Sequence, residues 1–93
     1  MVDLSGKDYY IWRCVTEWLR EEGLRSKAAA YILYAMAAEK LTYQAALRAY
    51  AEFIGDAPER VHAQICYAIL CTEYDAGPEA FLQTFLEERD FEN

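Results

Sequence analysis

The stretch Ala57-Pro-Glu-Arg-Val-His-Ala-Gln-Ile-Cys-Tyr-Ala-Ile-Leu70 decides how this chain folds. Val61, Ile65, Ala68 and Ile69 follow one another at steps of three and four, which return to nearly the same angle on a 3.6-residue helix. Pro58 and Glu59 suit the first turn, and Asp56 with Glu59 predicts a cap carrying an acidic partner three residues on. Gly55, just upstream, is placed to end a preceding helix in the left-handed conformation. The stretch therefore reads as the second helix of a helix-turn-helix. The helix itself runs from Ala57 to about Tyr74.

Working outward, four more helices emerge and no strand. Upstream, Thr42 caps a third helix with Ala46, Ala49, Tyr50, Phe53 and Ile54 expected to face inward. Before that, Ser26 caps a second helix, and the run Ala28 to Ala38 is apolar nearly all round, which predicts the central, most buried helix. The first starts near Ser5 and Asp8, carries Ile11, Cys14, Val15, Trp18 and Leu19 on one stripe, and stops at Gly23. Downstream, Asp75-Ala76-Gly77-Pro78 stops one helix and restarts another. This fifth helix spans Glu79 to about Arg89, with Phe81, Leu82, Phe85 and Leu86 inward. The expectation is an all-α, single compact five-helix domain over residues 1–93, with 78–93 forming an acidic C-terminal helix and tail.

Composition agrees with one core. The chain has 93 residues, 55% of them apolar, with only two prolines and four glycines. That length is near the lower end of what one core sustains unaided. No apolar run reaches the roughly 18 residues of a membrane span, and no secretory leader is visible, so a cytoplasmic location is expected. Cys14, Cys66 and Cys71 form no C-x-x-C pair, which argues against a disulfide framework or a zinc site and for small, partly buried side chains.

The net charge of −7 is unevenly placed. Residues 1–62 hold nine acids against eight bases, whereas residues 63–93 hold seven acids against Arg89 alone. The C-terminal third should therefore repel nucleic acid, whose backbone calls for lysine and arginine. Its ordinary role is a solubilising face. Enzymatic readings lack support: His62 and Cys66 are the one nucleophile–base pair the spacing offers, with no orienting third group. Neither a calcium loop nor a phosphate-binding glycine loop is present, and no cofactor is expected. Eight tyrosines are many for so small a domain, and a buried hydroxyl needs a partner. Several are expected at the rim or in an interface, Tyr9, Tyr67 and Tyr74 first among them.

Gly23-Leu24, Tyr31 with its apolar neighbours, Ala51-Glu52-Phe53 and the run Arg60-Val61-x-x-x-Ile65-x-x-Ala68-Ile69 together carry a resemblance. Over about Asp8 to Tyr74 the chain resembles the C-terminal DNA-binding effector domain of the stage-zero sporulation initiation regulator of endospore-forming bacteria. The resemblance implies an all-helical domain whose helix-turn-helix reads DNA as a dimer on tandem half-sites. Where that family places charged and basic side chains, this chain has His62, Ala63 and Cys66. Alanine and cysteine cannot make the bidentate contact by which arginine or lysine reads guanine.

Two functions follow from these observations. In the first, a small transcriptional regulator contacts DNA through Arg60, His62 and Gln64, helped by Lys27, Lys40 and Arg48. In the second, the same scaffold binds a basic protein through Glu79, Glu87, Glu88, Asp90 and Glu92 with Tyr67 and Tyr74, as a DNA-mimicking inhibitor such as an anti-CRISPR protein does. Arginines built to hold phosphates also hold a row of carboxylates.

Overall fold

The computed structural model describes residues 6–70 and 77–88. Five helices are present: α1 (Lys7–Glu21), α2 (Lys27–Ala38), α3 (Tyr43–Ile54), α4 (Pro58–Leu70) and α5 (Pro78–Glu88). Among the described residues there is no strand, and no helix is long and apolar enough to cross a membrane.

The centre is α2, as its all-round apolar sequence predicts. Ala28, Ala29, Ala30, Ile32, Leu33, Tyr34, Met36 and Ala37 are all buried, and α1, α3, α4 and α5 pack around them. Alanine dominates because four neighbours must approach one helix closely, and alanine is also the strongest helix former. Around this axis α1 inserts Ile11, Val15 and Leu19, α4 inserts Val61, Ile65 and Ile69, and α5 inserts Phe81, Leu82 and Phe85. Trp18 of α1 meets Phe85 of α5 with ring centroids 5.9 Å apart, closing the cluster.

The punctuation follows local chemistry. Ser26 and Thr42 each accept a backbone N–H three residues on, from Ala29 and Ala45 respectively, both at 3.2 Å. α1 ends in a left-handed Gly23: the Leu24 amide donates to Leu19 and the Gly23 amide to Arg20, satisfying carbonyls the helix leaves free. The start of α1 differs from expectation, because Gly6 precedes it with φ 59° and no side-chain cap; Ser5 lies outside the described residues.

α3 corrects part of the sequence reading. Its buried residues are Tyr43, Ala46, Leu47 and Ala51, with Tyr50 half-buried. Ala49 is exposed because, two residues beyond Leu47, it lies about 200° around the helix. Phe53 and Ile54 remain 60% and 43% exposed. They occupy the last turn, where the helix runs past the core; Phe53 stacks on Tyr31 at 6.0 Å instead of entering the interior. The end of α4 beyond Leu70, the loop to Ala76 and the residues after Glu88 lie outside the described residues, and with them Cys71, Tyr74, Arg89, Asp90 and Glu92.

Candidate functional site: the α3–α4 unit

α3 and α4 are joined by three residues, Gly55, Asp56 and Ala57. Gly55 takes φ 74°, a conformation that costs a Cβ-bearing residue energy. The Gly55 amide then donates to Glu52 and the Asp56 amide to Ala51, so the chain reverses with the end of α3 satisfied. Asp56 works differently from the cap foreseen with Glu59. Its Oδ1 accepts from the Ala57 amide at 2.8 Å and faces Arg60 Nε at 3.5 Å, bracing the turn against the first turn of α4. Glu59 is exposed beside the α3–α4 cleft.

From this turn α4 runs with Val61, Ile65 and Ile69 inward. Arg60, Ala63, Gln64 and Tyr67 are exposed, so three successive turns present an uncovered outer face. Tyr67, 74% exposed, is the most exposed large apolar side chain described. Three of the foreseen DNA contacts therefore fall on one helix, with different freedoms. Gln64 is exposed. Arg60 is 72% exposed and ion-paired with Asp56. His62 is half-buried and engaged by the fold.

Its engagement is the main polar contact of this unit. The Tyr43 hydroxyl, on a residue only 1% exposed, lies 2.8 Å from His62 Nδ1, and the two rings meet edge to face at 5.8 Å. Burial, then the neighbouring Cys66 and Glu79, push the Tyr43 hydroxyl up to about 12. It therefore keeps its proton and has His62 Nδ1 as the hydrogen-bond partner within reach. This ties the first turn of α3 to the second turn of α4. Sequence reasoning missed it, because the partners are 19 residues apart and lie on different helices. Between α3 and α4 lies a cleft of about 250 Å³ lined by Gln44, Leu47, Pro58, Glu59 and His62.

The remaining foreseen cations lie elsewhere. Arg48 is exposed on α3, Lys40 is exposed in the α2–α3 connection with φ 58°, and Lys27 opens α2. The foreseen acidic residues Glu79, Glu87 and Glu88 are all exposed along α5. Tyr9 is exposed, as foreseen. Cys14 and Cys66 are free thiols of intermediate burial. Among the described residues no group of three or more metal-binding side chains comes together. In comparison with known protein families, curated proteins and solved structures, the chain matches none.

Proposed function

We propose that this chain is a small non-enzymatic regulatory protein that docks on duplex DNA through the outer face of α4, with the α3–turn–α4 unit acting as a helix-turn-helix. The observation that carries this reading is the uncovered face Arg60–Ala63–Gln64–Tyr67 at the end of a three-residue turn. A bare helix of this kind fits the major groove, which is about 12 Å wide. Arg60's ion pair does not remove it from service. An exposed pair contributes at most about 1 kcal/mol, so a phosphate can replace Asp56 as its partner. Gln64 supplies the bidentate match to adenine, and Ala63 beside it the apolar match to a thymine methyl group. The face therefore favours A·T pairs over guanine. With Arg48 and Lys40 as further phosphate contacts, binding depends only weakly on salt for a DNA-binding protein. By analogy with the resembled effector domain, the DNA-bound form is a homodimer.

The test is selection from a random duplex pool at low salt, followed by anisotropy on the enriched sequences. An A·T-rich half-site is expected. Gln64→Ala relaxes the preference at one position, and Arg60→Ala weakens binding to all sequences while lowering the salt slope by about 1. Failure to enrich any sequence overturns the proposal.

A second reading is favoured by α5. Glu79, Gln83 and Glu87 recur at four-residue steps on its exposed side, joined by Glu88, and no base accompanies them within the helix. Such a row suits a basic protein surface. Reversing Glu79, Glu87 and Glu88 to lysine abolishes partner capture under this reading. Under the DNA reading the same change raises non-specific DNA affinity and leaves the selected sequence unaltered.

A further inference from the structure

At the opposite end of the sequence from the acidic third, the corner between α1 and α2 forms an open cavity of about 420 Å³. That is within the range of pockets that take small ligands. Arg20, Arg25 and Lys27 line it, one from each side of the corner and one from the connection itself. None of the three makes an ion pair with a described residue, whereas Arg13 pairs with Glu17 and Arg60 with Asp56. In a chain with sixteen acids, the first turn of α2 holds no acidic residue, and Lys27 stands there instead.

Lys27 stands against the electrostatics of its own helix, because a helix N-terminus carries partial positive charge and is stabilised by acids. Arg20 is differently placed, in the last turn of α1, where that helix's C-terminus favours a cation. All three side chains are exposed, so burial does not hold them there. An anion held between them offsets the Lys27 term and attracts each cation.

The rest of the cavity narrows the chemistry of that anion. Its inner wall is apolar and includes the Trp12 ring together with Leu19 and Leu24. Tyr31 and Tyr34 hold Trp12 edge to face at 5.6 and 5.7 Å, so the wall is rigid before any ligand arrives. Ser26 Oγ accepts from the Ala29 amide, which leaves its own hydrogen to donate into the cavity. A carboxylate is a monoanion that one arginine satisfies; three cations and a hydroxyl donor suit a phosphate, with its higher charge and three terminal oxygens. We infer that the α1–α2 corner binds a phosphate ester carried beside an aromatic ring, as in a nucleotide, with the phosphate between Arg20, Arg25 and Lys27 and the ring against Trp12. The same monoester chemistry is offered by a free nucleoside monophosphate and by the 5′-terminal nucleotide of a phosphorylated single strand. The inference does not rest on α4.

The test titrates the full chain by calorimetry with adenosine monophosphate, adenosine, inorganic phosphate and a 5′-phosphorylated single-stranded oligodeoxyadenylate, and repeats each with Arg25→Gln/Lys27→Gln. Saturable binding of the monophosphate is expected, with phosphate weaker and adenosine silent. Because charge-assisted contacts are the strong ones, the double variant should bind about a hundredfold less tightly. Unliganded, that variant should melt no lower than the parent, since it relieves repulsion at the helix end; a cost in stability would mean that the cations serve the fold. If the oligonucleotide alone binds and depends on the same cations, the free nucleotide is excluded as the source and a strand is assigned. If no phosphate-bearing probe binds at millimolar concentration, or the double variant binds as well as the parent, the inference is overturned. Arg60→Ala and Gln64→Ala should leave monophosphate binding unchanged, so this site and the α4 face stand or fall separately.

Discussion

Replacing Tyr43 by phenylalanine isolates one hydroxyl and gives a result that changes sign of consequence with pH. The ring stays, so the 1%-exposed site is still filled and no cavity term arises. What is lost is the 2.8 Å hydrogen bond to His62 Nδ1. A bond of this kind contributes about 1 kcal/mol net, and His62 is only half-buried, so water can reach part of the orphaned nitrogen and the cost should not exceed that figure by much. Alkali reverses the comparison. The hydroxyl titrates at 10.0 when free and is pushed up to about 12 in the fold. Because the folded value is the higher one, the stabilisation is complete below pH 10 and is lost as the pH rises from 10 through 12. Two pKa units correspond to about 3 kcal/mol in total, roughly half of it gone by about pH 11. The phenylalanine protein escapes this loss. It should therefore be less stable by about 1 kcal/mol at neutral pH and converge with the parent near pH 11. Burial also pushes Tyr34 and Tyr50 up, but both proteins share that contribution and it cancels. Urea unfolding followed by far-ultraviolet circular dichroism at a series of pH values provides the assay. A gap that stays constant up to pH 11, or a neutral-pH cost above about 3 kcal/mol, would refute the assignment of Tyr43 as a buried donor to His62.

Two left-handed residues give predictions of opposite sign. Gly55→Ala meets open space at its new Cβ yet should cost about 1 kcal/mol through φ 74° alone, whereas Lys40→Gly should gain a similar amount by relieving φ 58°, both read from thermal melts. If Lys40 contacts phosphate, the same glycine variant binds DNA less well while melting higher, which separates the two roles. Ile65→Ala empties a fully buried position beneath the outer face of α4 and should cost about 2–5 kcal/mol in urea unfolding; a smaller loss would mean that α4 is not held by its inner face. Reversing exposed Glu79, Glu87 and Glu88 to lysine should change the unfolding free energy by no more than about 0.5 kcal/mol per site, so that any loss of binding reports on a partner.

How much of this was legible beforehand depends on the range of the interaction. Ser26, Thr42, Gly23, Gly55 and Pro78 mark helix ends by bonds or dihedrals within a few residues of themselves, and each stands where its chemistry placed it. The central position of α2 was legible for a related reason: a helix apolar on every side has nowhere to go but the middle. α3 shows where periodicity stops informing. Ile54 has nearly the same helical phase as Leu47, but phase fixes direction and not depth, and the last turn reaches beyond the packed neighbours. Asp56 shows a competition the sequence leaves open. A carboxylate between two helices can serve the amide behind it or the guanidinium one turn ahead, and here it serves both.

The tyrosines carry the same lesson into the candidate site. Their number signalled boundary surface, and the fold sorts them by what each hydroxyl and ring meets. Tyr43 is buried with its hydroxyl hydrogen-bonded to His62 Nδ1. Tyr31, half-buried, joins Trp12, Tyr50 and Phe53 in ring contacts of 5.2 to 6.0 Å, a band in which aromatic faces replace aliphatic packing at the edge of the core. Tyr67, on the outer side of α4, is 74% exposed. Charge sorts in a comparable way, with acids on the outer side of α5 and three cations around the α1–α2 cavity. A sequence total of −7 conceals that separation, because it adds charges that the fold keeps apart. The local field at each surface, and not the net charge, decides which anion or cation approaches it. Under the two proposals, an acidic protein with one cationic cavity and one nearly neutral helix face would hold a phosphate at the first and dock on DNA at the second without a basic overall composition.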